Sequence, residues 1–263
     1  MAWSTSPGLT WGAAPMLRAR RLPRVLVSQV EVLWTEVEDC DRYPFDVPFI
    51  RNLGVLEFDH AVSFLLGENG SGKSTLLGGI ASGLGMNPEG GTGNMEFQST
   101  DERSVSDLGR WLRIARTGVR RSRTFYLRAE SFFNVATAVD RYEAQSSYGN
   151  RSLHTRSHGE SFLAFALHRW VPGGLYLLDE PESGLSVQGQ LQMLRIIWEL
   201  TRGGSQFIIA THSPILSALP EAAIIECTAD GPRRCPYEET ELVALYRSFM
   251  GAPDSFLRHL LED

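Results

Sequence analysis

Lysine is nearly missing from this 263-residue chain: among 25 basic side chains, Lys73 is the sole lysine. A general preference for arginine accounts for the other positions, but not for a lysine that persists. It marks a place where a compact ammonium on a flexible stem fits and a planar guanidinium fork does not. Long apolar runs are missing too. None approaches the ~20 residues needed to span a bilayer, and residues 1–16, MAWSTSPGLTWGAAPM, lack the apolar centre of a signal peptide. The expected location is therefore cytoplasmic, without direct membrane insertion. Cys40, Cys227 and Cys235 are too few and too scattered for a disulfide framework or a zinc site. Excess positive charge is also lacking: the net charge is −6, which argues against a surface coated for nucleic acid. What is present, at 43% hydrophobic residues, suffices for one globular unit with a sizeable core. Residues 1–24 read as a flexible leader and 25–263 as a single domain.

Lys73 stands in GENGSGKST, residues 67–75, which matches G-x-x-x-x-G-K-[ST] with Gly67, Gly72, Lys73 and Ser74 in the fixed slots. The preceding VSFLL (62–66) is short, apolar and β-prone, as a buried parallel strand should be. STLLGGIASGL (74–84) can open a helix. Such a loop turns backbone N–H groups inward around phosphate oxygens, and the helix presents its positive end to the same anion. Gly67, Glu68, Asn69, Gly70, Ser71, Gly72, Lys73, Ser74 and Thr75 are thus the candidate ATP cradle. In it Lys73 reaches the β- and γ-phosphates and the Ser74 hydroxyl ligates Mg²⁺.

GLYLLDEPESGLS, residues 174–186, is a second buried strand ending in two acids. Asp179 closes it at the carboxyl edge, where parallel sheets bind ligands and a carboxylate can hold the Mg²⁺ shell. Glu180, one residue on, suits a base or orienter for attacking water. Kinases that use such a loop need no second acid, so the pair favours hydrolysis. A third strand, SQFIIATHSP (205–214), ends in His212, placed beside the γ-phosphate if all three strands share a sheet.

Between cradle and acids lies SHGES, residues 157–161. In its order and spacing of motifs the chain resembles the ATP-binding-cassette (ABC) superfamily of ATPases. The likeness is nearest to small stand-alone ATPases related to the SMC, RecF and OLD types, and it covers nearly all of residues 25–263. It puts SHGES at the Leu-Ser-Gly-Gly-Gln-type signature, with only Ser157 and Gly159 in register. The resemblance implies that Ser157, Gly159 and Glu160, at the start of a helix running through SFLAFALHRW (161–170), cap the ATP of a second copy. Two ATPs would then be buried in a head-to-tail homodimer. It also puts Glu130, in YLRAESFF (126–133), where transporter ATPases carry a Gln loop, with a carboxylate able to touch Mg²⁺ or its water. Gln98 is the alternative, closer to the P-loop. Ser186 stands where transporters usually have Asp after SGL. Tyr43 or Phe45 is the candidate for stacking on adenine, or else core.

The expected fold is α/β: a P-loop NTPase of ABC type with a mainly parallel core sheet, an antiparallel side sheet from 25–34 and 53–58, and a small helical lobe at roughly 100–170. In VQGQLQMLRIIWEL (187–200), Val187, Leu191, Leu194 and Ile197/Trp198 share a helical face expected to pack on the sheet. AAIIEC (222–227) reads as a late strand and EETELVALYRSFM (238–250) as a closing helix. Residues 131–156 show no heptads, which excludes an SMC-like coiled-coil arm in this chain. Eight arginines lie between 103 and 128: Arg103, Arg110, Arg113, Arg116, Arg120, Arg121, Arg123 and Arg128. Read as a helix, this segment presents a basic strip, either plainly solvated or a docking face for nucleic acid or an acidic partner. The function expected is a Mg²⁺-dependent ATPase that drives a partner protein or a nucleic-acid transaction. The alternative is the ATP-binding subunit of an ABC transporter.

Overall fold

The computed structural model describes residues 25–86, 107–118, 123–128 and 158–261. The leader 1–24, Gln98, Arg103, Arg120, Arg121, Glu130 and Ser157 lie outside them. Strands β1 (Val27–Val32), β2 (Val55–Glu57) and β4 (Leu112–Arg116) form an antiparallel sheet in the order β2-β1-β4. A six-stranded sheet runs β5 (Thr124–Arg128), β6 (Leu175–Asp179), β7 (Gln206–Ala210), β3 (Val62–Leu66), β8 (Ala223–Thr228), β9 (Gly231–Arg234). Five of its strands are parallel and only β9 is antiparallel.

β3, β6 and β7 are buried along their whole length, as strands covered on both faces must be. Alternation then sorts their side chains into two layers. Leu65, Leu177, Ile208 and Ile225 face helix α2 (Lys73–Gly83), the short helix α1 (Pro48–Arg51) and the side sheet. Phe64, Tyr176, Leu178, Phe207 and Ile209 face α3 (His158–Arg169) and α4 (Val187–Arg202). On that face Tyr176 stacks on Phe207 at 4.7 Å and on Phe125 at 5.7 Å. The side sheet is tied to the core sheet by one buried amide. Gln206 Oε1 accepts from the Leu26 and Val27 N–H groups at 2.7 and 2.8 Å, and its Nε2 donates to the Val27 carbonyl at 2.8 Å.

Helices α5 (Glu241–Gly251) and α6 (Pro253–Leu261) close the chain. Thr240 caps α5 by accepting from the Val243 N–H. Among the described residues no helix is long and apolar enough to cross a membrane.

Three expectations are corrected. The described residues 107–118 and 123–128 are not in an α-helix: a 3-10 turn at Asp107–Trp111 leads into β4, and β5 stands at the end of the main sheet's strand order. The helical lobe expected at roughly 100–170 therefore has two strands among its described residues, and Arg110, Arg113, Arg116, Arg123 and Arg128 share no helical face. Arg113 instead pairs with Glu31 across β1 and β4. β-branched and aromatic residues in RIAR and TFYLR fit a pleated surface, and there sheet pairing outweighs the helical reading. The face of α4 is also rotated. Gly189, Met193, Ile196 and Ile197 are buried, whereas Val187 and Leu191 are 60% and 54% exposed.

Candidate active site

The cradle forms where β3 runs out. Gly67 takes φ +148°, and a Cβ there would meet the Cys227 carbonyl and the Ser71 hydroxyl at 2.9 Å each. Gly72 caps α2 in the left-handed region, backed by Val47 and Phe49. Lys73 opens the helix and is 3% exposed. Its Nζ donates to the Gly67 and Glu68 carbonyls at 2.8 and 2.7 Å. Burial draws its pKa below the ordinary lysine value, against the opposing pull of Cys227, Glu180 and Asp179. An open cavity of about 620 Å³ borders the loop, with Phe49, Gly67–Ser71, His212 and Thr228 in its wall.

Strand β7 separates the acid strand β6 from the cradle strand β3. Even so, the Ser74 hydroxyl donates to Asp179 Oδ1 at 2.8 Å. Asp179 Oδ2 lies 3.5 Å from the Arg128 Nε, and the Asp179 side chain is 6% exposed. One position on, Glu180 takes φ +51° while its N–H still bonds to the Ala210 carbonyl at 2.9 Å. Left-handed backbone at a glutamate costs on the order of 1 kcal/mol and is held only where the surroundings over-determine it. Here it turns the acid out of the strand. Glu180 Oε1 comes 3.6 Å from His212 Nε2, a buried nitrogen with no hydrogen-bond partner among the described residues. Burial and the Lys73 charge lower the His212 pKa, and Glu180 opposes them.

Sequence reasoning missed Glu182. Its Oε1 accepts the His212 N–H at 2.7 Å, so it ties the acid loop to the end of β7. Burial pushes its pKa up, opposed by hydrogen bonds from the His212 N–H and the Thr211 hydroxyl. The available signal was the second glutamate of DEPES, two residues after Glu180.

The donor set fits Mg²⁺ and a triphosphate. A hydroxyl and a carboxylate give hard oxygen ligands. A buried ammonium, the N-terminus of α2 and an unpartnered imidazole nitrogen suit an anion. Lys73, Ser74, Asp179, Glu180 and His212 thus meet at one edge of the sheet, with cradle residues Glu68, Asn69, Gly70, Ser71 and Thr75 around them. Tyr43 is exposed and its hydroxyl meets the Thr75 Oγ1 at 3.2 Å. Phe45 is fully buried between Trp34 and Trp111, so it is core and not an adenine platform.

The signature segment packs on the loop that follows the acids. Gly159 is buried in the first turn of α3, where a Cβ would strike the Gly184 carbonyl at 2.6 Å and Leu185 at 3.1 Å. Glu160 beside it is exposed. Ser186 caps α4, accepting from the Gly189 N–H at 3.2 Å. Hence α3, the Gly184 loop and α4 start together on one surface.

The fold and these contacts define a P-loop nucleoside-triphosphatase. A protein family described as "AAA domain, putative AbiEii toxin, Type IV TA system" matches residues 139–218. A "putative ABC transporter ATP-binding protein" of Methanothermobacter marburgensis is 39% identical over 75 residues, 28% of this chain and 27% of that protein. Another so described, from Pyrococcus horikoshii, is 27% identical over 173 residues, covering 59% and 65%. The chain thus spans less than two thirds of either relative. The SMC head domain from Thermotoga maritima overlays with a TM-score of 0.42 at 15% identity, covering 81% of this chain and 99% of that one. In its motif order and its Ser74–Asp179 contact the chain is similar to ABC-type ATP-binding proteins, as the two archaeal relatives are described.

Proposed function

We propose that this protein hydrolyses ATP with Mg²⁺ at a composite, head-to-tail homodimer interface, and that the closing and opening of the dimer drives a partner protein or a nucleic-acid transaction. The observation that carries the reading is the 2.8 Å contact between Ser74 and Asp179, which joins the cradle to the acid strand across β7. Ser74 and Asp179 would hold Mg²⁺, which offsets phosphate charge when bound. Glu130 is the proposed further contact to the metal or its water. The loop amides and Lys73 hold the triphosphate in place. Glu180, turned out of the strand, orients the attacking water and accepts its proton. His212 Nε2, 3.6 Å from Glu180, contacts the γ-phosphate and reports its loss.

The dimer reading has its own support. Gly159, Gly184 and the start of α4 share one surface, and Val187 and Leu191 there are exposed apolar side chains. A second copy would cover them while Ser157, Gly159 and Glu160 approach its nucleotide. Phosphate release in ATP and Mg²⁺ tests the chemistry. Lys73→Ala and Glu180→Gln should each lose it by about 100-fold or more. Full activity in Glu180→Gln contradicts the assignment.

The descriptions of the two archaeal relatives favour a second reading, the ATP-binding subunit of a transporter. Stable co-purification with an integral membrane protein would establish it. Stimulation of turnover by DNA or RNA would favour the nucleic-acid form of the first.

A further inference from the structure

One cation at the site has no part in the chemistry described so far. Arg128 ends β5, at the end of the main sheet's strand order, and stands in register with Asp179 on β6. Its Nε is 3.5 Å from Asp179 Oδ2, while Ser74 holds Oδ1 at 2.8 Å. Both oxygens of the acid that would serve Mg²⁺ are therefore engaged by the chain's own groups. The two side chains differ in access: Asp179 is 6% exposed, but Arg128 is 31% exposed. A fixed positive charge on this carboxylate opposes a divalent cation at the same place, so a purely structural pair would weaken the metal site. The demand for positive charge also changes on loading. A tetra-anionic triphosphate set beside Asp179 and Glu180 outweighs Mg²⁺ and Lys73 together. A guanidinium already at the carboxyl edge of the sheet can answer that demand, because its planar fork matches phosphate oxygens.

We propose that Arg128 is an exchangeable cation and a further catalytic residue: it pairs with Asp179 before nucleotide binds, and would move to the terminal phosphate oxygens once Asp179 serves a bound Mg²⁺. The proposal rests on the nucleotide reading above and deepens it. In the transition state the guanidinium stabilises charge gathering on the transferred group. Before nucleotide binds it holds Asp179 in place and raises the Mg²⁺ concentration needed to load.

Two measurements on Arg128→Ala and Arg128→Lys test this. The first is binding of a fluorescent ATP analogue against Mg²⁺ concentration. Arg128→Ala should reach half-saturation at about 3- to 10-fold lower Mg²⁺ than the wild type, since its competitor is gone. Arg128→Lys, which keeps the charge and the fold, should stay within about 2-fold. The second is turnover at saturating Mg²⁺, where Arg128→Ala should lose about 100-fold in kcat and Arg128→Lys fall between it and the wild type. An unchanged or raised Mg²⁺ requirement in Arg128→Ala overturns the exchange. A kcat within 3-fold of wild type, roughly the noise of such assays, overturns the catalytic role. The binding titration decides the exchange even in a preparation without turnover. A wild type that binds no nucleotide overturns the nucleotide reading itself, and with it this one.

Discussion

At the scale of single residues, the site is a small number of carboxylates kept in different states by their surroundings. Glu180 is half out of the fold, whereas Glu182 is drawn inward beneath it to hold the His212 N–H. Burial raises the Glu182 pKa, so the folded state binds a proton more readily there than the unfolded chain does. Its effect on stability runs downhill as pH rises from the ordinary value of 4.5 through the raised folded pKa. Glu182→Gln keeps the acceptor and removes the charge. In chemical denaturation it should match the wild type at acid pH and exceed it increasingly as pH rises through that window. Glu182→Ala should lose about 1–3 kcal/mol at acid pH, because it leaves the His212 N–H unpaired, and the loss should shrink as pH rises and the wild type itself weakens. A Gln variant that weakens with rising pH as the wild type does would contradict this. His212 has its own signature. Burial and Lys73 hold its pKa below 6.5, so its NMR titration midpoint should lie under that value. Glu180→Gln, which removes the opposing carboxylate, should lower it further.

At the scale of elements, Gln206 is the joint between the two sheets, with three hydrogen bonds from one 0%-exposed side chain to the backbone of residues 26 and 27. Gln206→Leu would leave two buried N–H groups and one carbonyl without partners, at a cost of about 3 kcal/mol in a denaturation midpoint. A loss under 0.5 kcal/mol, roughly a surface effect, would show that water replaces the amide. Such a joint is not readable from a sequence, since a polar residue opening an apolar strand looks like an edge. Strands whose period and neighbours agreed were legible: VSFLL, LYLLD and QFIIA, each followed by its chemical residue. The antiparallel pair of β1 and β2 and the closing helix were legible on the same grounds. What misled was short-range periodicity with nothing to pack on. The arginines of 103–128 suggested a helix until β4 found β1 and β5 found β6. On α4 the apolar residues are too many for one stripe. Val187 and Leu191 matched the spacing as well as Met193 and Ile196 did, and tertiary packing chose the latter.

At the scale of the whole molecule, the functional residues form two groups, the cradle and the signature turn. The cradle gathers Lys73, Ser74, Asp179, Glu180 and His212. The other group gathers Gly159, Gly184, Ser186, Val187 and Leu191, and its exposed apolar side chains are suited to meeting another subunit. In the proposed dimer such a subunit would complete its pocket by docking head to tail with a second copy, with ATP as the bridge. Blocking hydrolysis while sparing binding should therefore accumulate the closed pair. The most direct measurement is the solution mass of Glu180→Gln by size-exclusion chromatography with light scattering, with and without ATP and Mg²⁺. The predicted result is a monomer without nucleotide and a dimer with it. A monomer under both conditions, with ATP shown to be bound, would contradict the composite site.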